Sequence, residues 1–136
     1  MTSSTSLTPE LLRVCDANLN RLREGLRVVE DILRYKYNNK NLASKLKEIR
    51  HTARISDYKA LLQQRDSLGD VLKKSTKTEQ QRDSLEEIII SNFKRAQESA
   101  RVLEELFKLE DRLQSEHFKD IRYALYALEK DVLLML

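Results

Sequence analysis

Residues 16–34 read DANLNRLREGLRVVEDILR, and residues 90–108 read ISNFKRAQESARVLEELFK. Sliding the first stretch 74 positions onto the second matches Asn18 with Asn92, Arg21 with Arg95 and Glu24 with Glu98. Arg27 then meets Arg101, Val28 meets Val102 and Glu30 meets Glu104. Leu19/Phe93, Val29/Leu103, Asp31/Glu105 and Ile32/Leu106 are close substitutions. Around the first copy, Leu12, Cys15, Leu19, Leu22, Leu26, Val29 and Leu33 recur at alternating threes and fours. That spacing is the seam of a helix packed lengthwise on other helices. Ile89, Phe93, Ala96, Ala100, Leu103 and Phe107 keep the seam in the second copy. The polar set steps by threes, and each step winds about 60° backwards round an ideal helix. Asn18 and Glu30 should therefore flank the core, with Arg21, Glu24 and Arg27 more exposed.

Outward from this stretch the chain reads as helices throughout. Residues 1–8 are expected to be a disordered tail and 9–136 a single helical domain. Thr8-Pro9 is a helix start, with Thr as cap and Pro in the first helical position. Helix one should run to about Tyr37, with Gly25 inside it for close helix packing. Asn38 to Asn41 is a turn. Helix two should cover about Leu42 to Ile55, with Leu42, Leu46, Ile49 and Ala53 as its apolar stripe. Ser56-Asp57 breaks it and starts a short helix, YKALLQQR. Residues 66–77, DSLGDVLKKSTK, lack periodicity and read as a loop, where site residues gather. Thr78 with Gln81 resembles a capping box for helix three, which should end near Glu110. Ser115 should cap helix four.

Lys47-Glu48-Ile49-Arg50-His51 also lines up with Lys119-Asp120-Ile121-Arg122-Tyr123, at an offset of 72. The chain is thus two like helical hairpins. The expected fold is all-α: an antiparallel four-helix bundle of two pseudo-repeated hairpins plus a short extra helix. Across the pseudo-twofold axis, four arginines and four glutamates should meet in one shared polar cleft.

Composition bounds the function. A chain of 136 residues with one Pro, two Gly and 35% charged residues reads as one all-α domain. A net charge of +3 does not demand a nucleic-acid partner, and the aromatics are too scattered to stack bases. The single Cys15 excludes an internal disulfide and fits a reducing cytoplasm; its seam position makes it a core residue. No signal peptide is visible, and no apolar run approaches the ~20 residues of a membrane span. The phosphate loop GxxxxGK[ST] and the GxGxxG turn are both absent. His51 and His117 lack metal-ligand spacing.

The repeated ladder carries two readings. Opposite charges three or four apart stabilise a helix surface by about 0.2–0.5 kcal/mol per pair. Repetition of Arg and Asn at fixed positions favours a substrate or ion-pair site, because Arg grips phosphate or carboxylate with a two-pronged fork. The candidate binding residues are Asn18, Arg21, Arg27, Glu30, Asn92, Arg95, Glu98, Arg101 and Glu104. The loop adds Arg65, Asp66 and Asp70, with Lys73 and Lys74 after them. Carboxylates beside basic groups can hold Mg²⁺ and nucleotide phosphates; a solvated charged loop is the other reading.

Five segments in this order and spacing carry a family resemblance: DANLNRLREGLRVVEDILR, LKEIRH, LLQQRDSLGDV, ISNFKRAQESARVLEELFK and FKDIRYALYALEK. Together they resemble the small helical domain that some bacteria carry in front of thiamin-phosphate synthase (thiamin-phosphate pyrophosphorylase). That family is assigned as a monofunctional hydroxymethylpyrimidine-phosphate kinase of thiamin biosynthesis. The resemblance implies phosphoryl transfer from ATP, with Mg²⁺, to the pyrimidine phosphate. The arginines would hold phosphates; Glu24, Asp66 or Asp70 would hold Mg²⁺ or take the hydroxyl proton. The family reads Asp-Val-Gly-Thr where this chain has Asp70-Val71-Leu72-Lys73, a departure inside the loop. Two alternatives stand beside the kinase: a non-catalytic module that binds thiamin-phosphate synthase or a pathway intermediate, and a structural homodimer.

Overall fold

The computed structural model describes residues 7–136, apart from the side chain of Thr78. Among them it is all-helical. Four long helices form the bundle: α1 (Pro9–Asp31), α2 (Lys40–Thr52), α5 (Leu85–Phe107) and α6 (Arg112–Met135). Two short ones, α3 (Tyr58–Gln63) and α4 (Lys77–Gln80), lie in the long connection.

Local chemistry sets the ends. Thr8 accepts the Leu11 N–H at 3.3 Å and Pro9 opens α1. Past Asp31 the helix widens into a π-helical turn, Ile32–Lys36, and Asn38 takes a left-handed φ of 52°. Asn39 then caps α2 by accepting the Leu42 N–H at 3.0 Å. Asp57 caps α3 in the same way. Glu30 and its α2 partner Arg50 are 20 residues apart, whereas Glu104 and Arg122 are 18 apart. The first corner is thus two residues longer, and it contains the π-turn and the left-handed Asn38.

The two repeated helices, α1 and α5, form the centre. A Cβ on Gly25 would lie 2.9 Å from the Asn92 carbonyl oxygen and 3.5 Å from the Ala96 Cβ. At the other end Leu12 and Phe107 wall one cavity, so α1 and α5 run antiparallel. α2 packs along α1 and α6 along α5, which puts α2 and α6 on one side of the central pair. The core is continuous, from Cys15, Leu22, Leu26 and Leu33 through Leu46 and Phe93 to Leu125 and Val132. Phe107 and Phe118 stack with ring centroids 5.9 Å apart.

The glycine crossing is testable. Gly25→Ala gains about 1 kcal/mol of helix propensity. It also drives a methyl into a backbone oxygen that cannot rotate away, and overpacking costs about 1–3 kcal/mol. A net loss of stability is expected in urea unfolding; a more stable variant would contradict the close crossing.

The bundle and its two hairpins match the expectation, and several boundaries differ. The disordered tail was expected over residues 1–8; residues 1–6 lie outside the described residues, whereas Leu7 is buried in the core. Helix three does not run unbroken from Thr78. Thr76, not Thr78, accepts the Glu79 N–H, at 3.2 Å, and α4 ends at Gln80. Ser84 then accepts the Glu87 N–H at 3.1 Å while the Glu87 carboxylate takes the Asp83 N–H. This second reciprocal cap outcompetes continuation of the first. Helix four is capped by Asp111, which accepts from Leu113 and Gln114, because a carboxylate at that position reaches both amides. Ser115 is buried instead and donates to the Glu104 carbonyl at 2.8 Å.

Candidate functional site

The polar groups of α1 divide into two stripes. One runs at intervals of seven: Asp16, Arg23 and Glu30. Each ties α1 to a neighbour. Arg65 forks onto Asp16, Nη2 to Oδ1 at 2.7 Å and Nε to Oδ2 at 2.8 Å. Arg23 Nη1 donates to the carbonyls of Arg50 (2.9 Å) and Ala53 (3.0 Å), satisfying the C-terminal end of α2. Burial, then the neighbouring Arg50 and Arg54, lower its pKa from the usual arginine value. Arg50 forks onto Glu30, Nε to Oε1 at 2.7 Å and Nη2 to Oε2 at 3.2 Å. α5 repeats the last two members: Gln97 donates to Glu129 at 2.9 Å, and Glu104 takes Arg122 Nε at 2.9 Å. Glu30 and Glu104 are both buried.

These pairs sit at opposite ends of the bundle, because α1 and α5 are antiparallel. Glu30 and Glu104 therefore do not share a cleft. The single enclosure of four arginines and four glutamates expected from the sequence is replaced by two separate buried ion pairs, one per hairpin. Asn18 and Asn92 donate to the carbonyls one turn back, Val14 at 2.9 Å and Ile88 at 2.8 Å. Arg27 pairs with Asp31 at 3.3 Å, and Arg101 with Glu105 at 2.8 Å and Glu104 at 3.2 Å.

The remaining repeated residues behave differently. Arg21, Glu24, Arg95 and Glu98 are exposed, and none has a hydrogen-bond or ion-pair partner among the described residues. Arg21 precedes Glu30 by nine residues, about two and a half turns, so it faces away from α2. Arg95 faces away from α6 by the same spacing from Glu104. Both guanidiniums thus project on the open side of the central pair. Gly25 meets the stretch between Asn92 and Ala96, and Leu12 lies near Phe107, so Arg21 is level with about Glu98 and Arg95 with about Glu24, the two arginines about one helical turn apart along the pair.

The loop is pinned to α1 beside Asp16. Arg13 Nη2 donates to the Asp66 carbonyl at 2.9 Å, and Arg65 also donates to the Tyr58 hydroxyl at 3.1 Å. The bonds to Asp16 and then Tyr58 raise the Arg65 pKa still further above the usual arginine value. The loop carboxylates close turns: Asp66 accepts the Gly69 N–H and Asp70 the Leu72 N–H, both at 2.9 Å. One oxygen of each remains. Among the described residues no three His, Cys, Asp or Glu side chains converge as a metal cage. No bond joins Asp66 or Asp70 to Arg21 or Arg95. Arg65→Ala strips a buried Asp16 of its fork and is expected to cost about 1–3 kcal/mol. Faster amide exchange at Gly69 and Leu72 would check that the loop loosens with it. Cys15 is fully buried, and burial, then the Glu110 carboxylate, push its thiol up to about 11.

Residues 13–131 match the ThiD2 family. The chain belongs to that family. Its relatives include the "Thiamine-phosphate synthase" of Synechocystis sp., 37% identical over 124 residues, which are 90% of this chain and 36% of that one. That of Thermosynechococcus vestitus is 38% identical over 88% of this chain and 34% of its own. That of Prochlorococcus marinus subsp. pastoris is 35% identical over 98% of this chain and 39% of its own. This ThiD2 chain spans little more than a third of the length of these curated relatives. No solved structure matches it. No helix among the described residues is long and apolar enough to cross a membrane.

Proposed function

We propose that this chain acts in thiamin biosynthesis by transferring a phosphoryl group from ATP to hydroxymethylpyrimidine phosphate. The observation that carries the reading is that Arg21 and Arg95, unpartnered among the described residues, lie on one open face of the central pair, about one turn apart along it. An arginine without a protein partner is free to fork onto phosphate oxygens. Two of them on adjacent helices, which pack about 8–10 Å apart, span a phosphate or pyrophosphate. Phosphoryl transfer depends mainly on positioning and on cations around the moving group. Glu24 and Glu98 flank the arginines, and Glu24 would take the hydroxyl proton. In the reaction the substrate oxygen bonds to the γ-phosphorus, the bond to the β-bridging oxygen breaks, and ADP leaves. Mg²⁺ is commonly held by one or two carboxylates together with phosphates. The unbonded oxygens of Asp66 and Asp70 suit that mode, and a rigid protein cage is not needed for it.

ADP release that depends on both ATP and the pyrimidine phosphate is the expected result in a coupled assay. Absence of release under Mg²⁺ would contradict the kinase. A second reading has its own support: the relatives carry this region as about a third of proteins named thiamine-phosphate synthase. No ADP release together with stable binding to a thiamin-phosphate synthase would favour that companion role.

A further inference from the structure

The corner between α1 and α2 borders an open surface cavity of about 260 Å³. Arg34, Lys40 and Lys47 line it, with Asn38, Ser44 and the buried Glu30. The Glu30 carboxylate is already matched by the Arg50 fork, so three positive charges around the cavity remain uncompensated. None of the three is in an ion pair among the described residues; Arg34 lies over the Tyr35 ring at 5.0 Å.

The second hairpin is an internal comparison. Lys108 stands where Arg34 does, and it is paired with Glu105 at 2.9 Å. Lys119 stands where Lys47 does, and it sits over the Tyr123 ring at 5.9 Å. Ser115 replaces Ala43 and turns inward onto the Glu104 carbonyl at 2.8 Å. The copy with the shorter corner thus neutralises one of its two cations with a carboxylate, whereas Arg34 has only a ring beside it and Lys47 has no ion pair or ring contact among the described residues.

We propose that this cavity binds a phosphate group of a small phosphorylated molecule. Lys40, Lys47 and Arg34 supply charge-assisted hydrogen bonds to the anion, and Ser44 and Asn38 add neutral donors. The volume falls just below the usual range for drug-sized ligands, which suits a phosphate on a small body. Glu30 and Arg21 lie on opposite sides of α1, so this site and the Arg21–Arg95 face cannot hold one ligand. The inference therefore stands whether or not the chain is a kinase.

Calorimetric titration with inorganic pyrophosphate, at ionic strength fixed with chloride, tests it. Arg21→Ala/Arg95→Ala, in which the open face can no longer fork onto pyrophosphate, is expected to show a saturable site. Adding Lys40→Ala/Lys47→Ala to that variant should lower its affinity by at least about tenfold. Both lysines are exposed and have no partner among the described residues, so the variant should fold, with unchanged circular dichroism. Ser44→Asp, which adds a carboxylate at the rim, should weaken binding too. No saturable heat in Arg21→Ala/Arg95→Ala, or undiminished affinity after the lysine substitutions are added, would overturn the site.

Discussion

Arg50→Ala is expected to lower the free energy of unfolding by about 3–5 kcal/mol, because it strands the Glu30 carboxylate in the core without its fork. Glu30 is 1% exposed and its partner's side chain only 12% exposed. The pair holds α2 onto α1, and Arg23, two turns earlier in the same stripe, binds the C-terminal carbonyls of α2. Domains of this kind hold about 5–15 kcal/mol in all, so the variant should be close to unfolding in mild denaturant. Replacing both partners, Glu30→Met with Arg50→Met, should recover much of the loss, since no buried charge is then left alone. Arg122→Ala should behave like Arg50→Ala, because Glu104 repeats the arrangement with both side chains mostly buried. If Arg50→Ala melts like the wild type, the pair is not what fixes the hairpin.

The second large effect concerns activity. Arg21→Ala and Arg95→Ala are each expected to lower kcat/KM for the pyrimidine phosphate by about 100-fold or more, the scale for removing one preorganised charge-stabilising donor. Their stability should stay within about 0.5 kcal/mol of wild type, since neither side chain has a partner to lose among the described residues. Arg21→Lys should recover only part, because an ammonium cannot fork. A double variant that melts normally yet turns over at the wild-type rate would remove the open face from the reaction.

Much of this was legible in the residues. The alternating threes and fours announced the seam, and Cys15, Leu22, Leu26, Val29 and Leu33 are all buried. The 74-residue offset announced the pseudo-symmetry, down to the matching back-bonds of Asn18 and Asn92. The steps of three placed Glu30 inside and Arg21 outside correctly. They could not say that the repeated helices run antiparallel, and that direction is what separates Glu30 from Glu104. The stripe at intervals of seven, Asp16–Arg23–Glu30, was also visible in principle as three charges on one face. Its partners, Arg65 and the end of α2, come from distant chain and leave no local mark. The cap at Ser84 was hidden too. Two caps follow one another closely, Thr76 with Glu79 and Ser84 with Glu87, and both form, so the stretch breaks into α4 and α5.

The most direct measurement is an NMR titration of the arginine Nε–H signals with hydroxymethylpyrimidine phosphate. The signals of Arg21 and Arg95 are predicted to shift together, along one shared saturation curve. If both stay still while other arginines respond, the paired-arginine face is not where the phosphate binds.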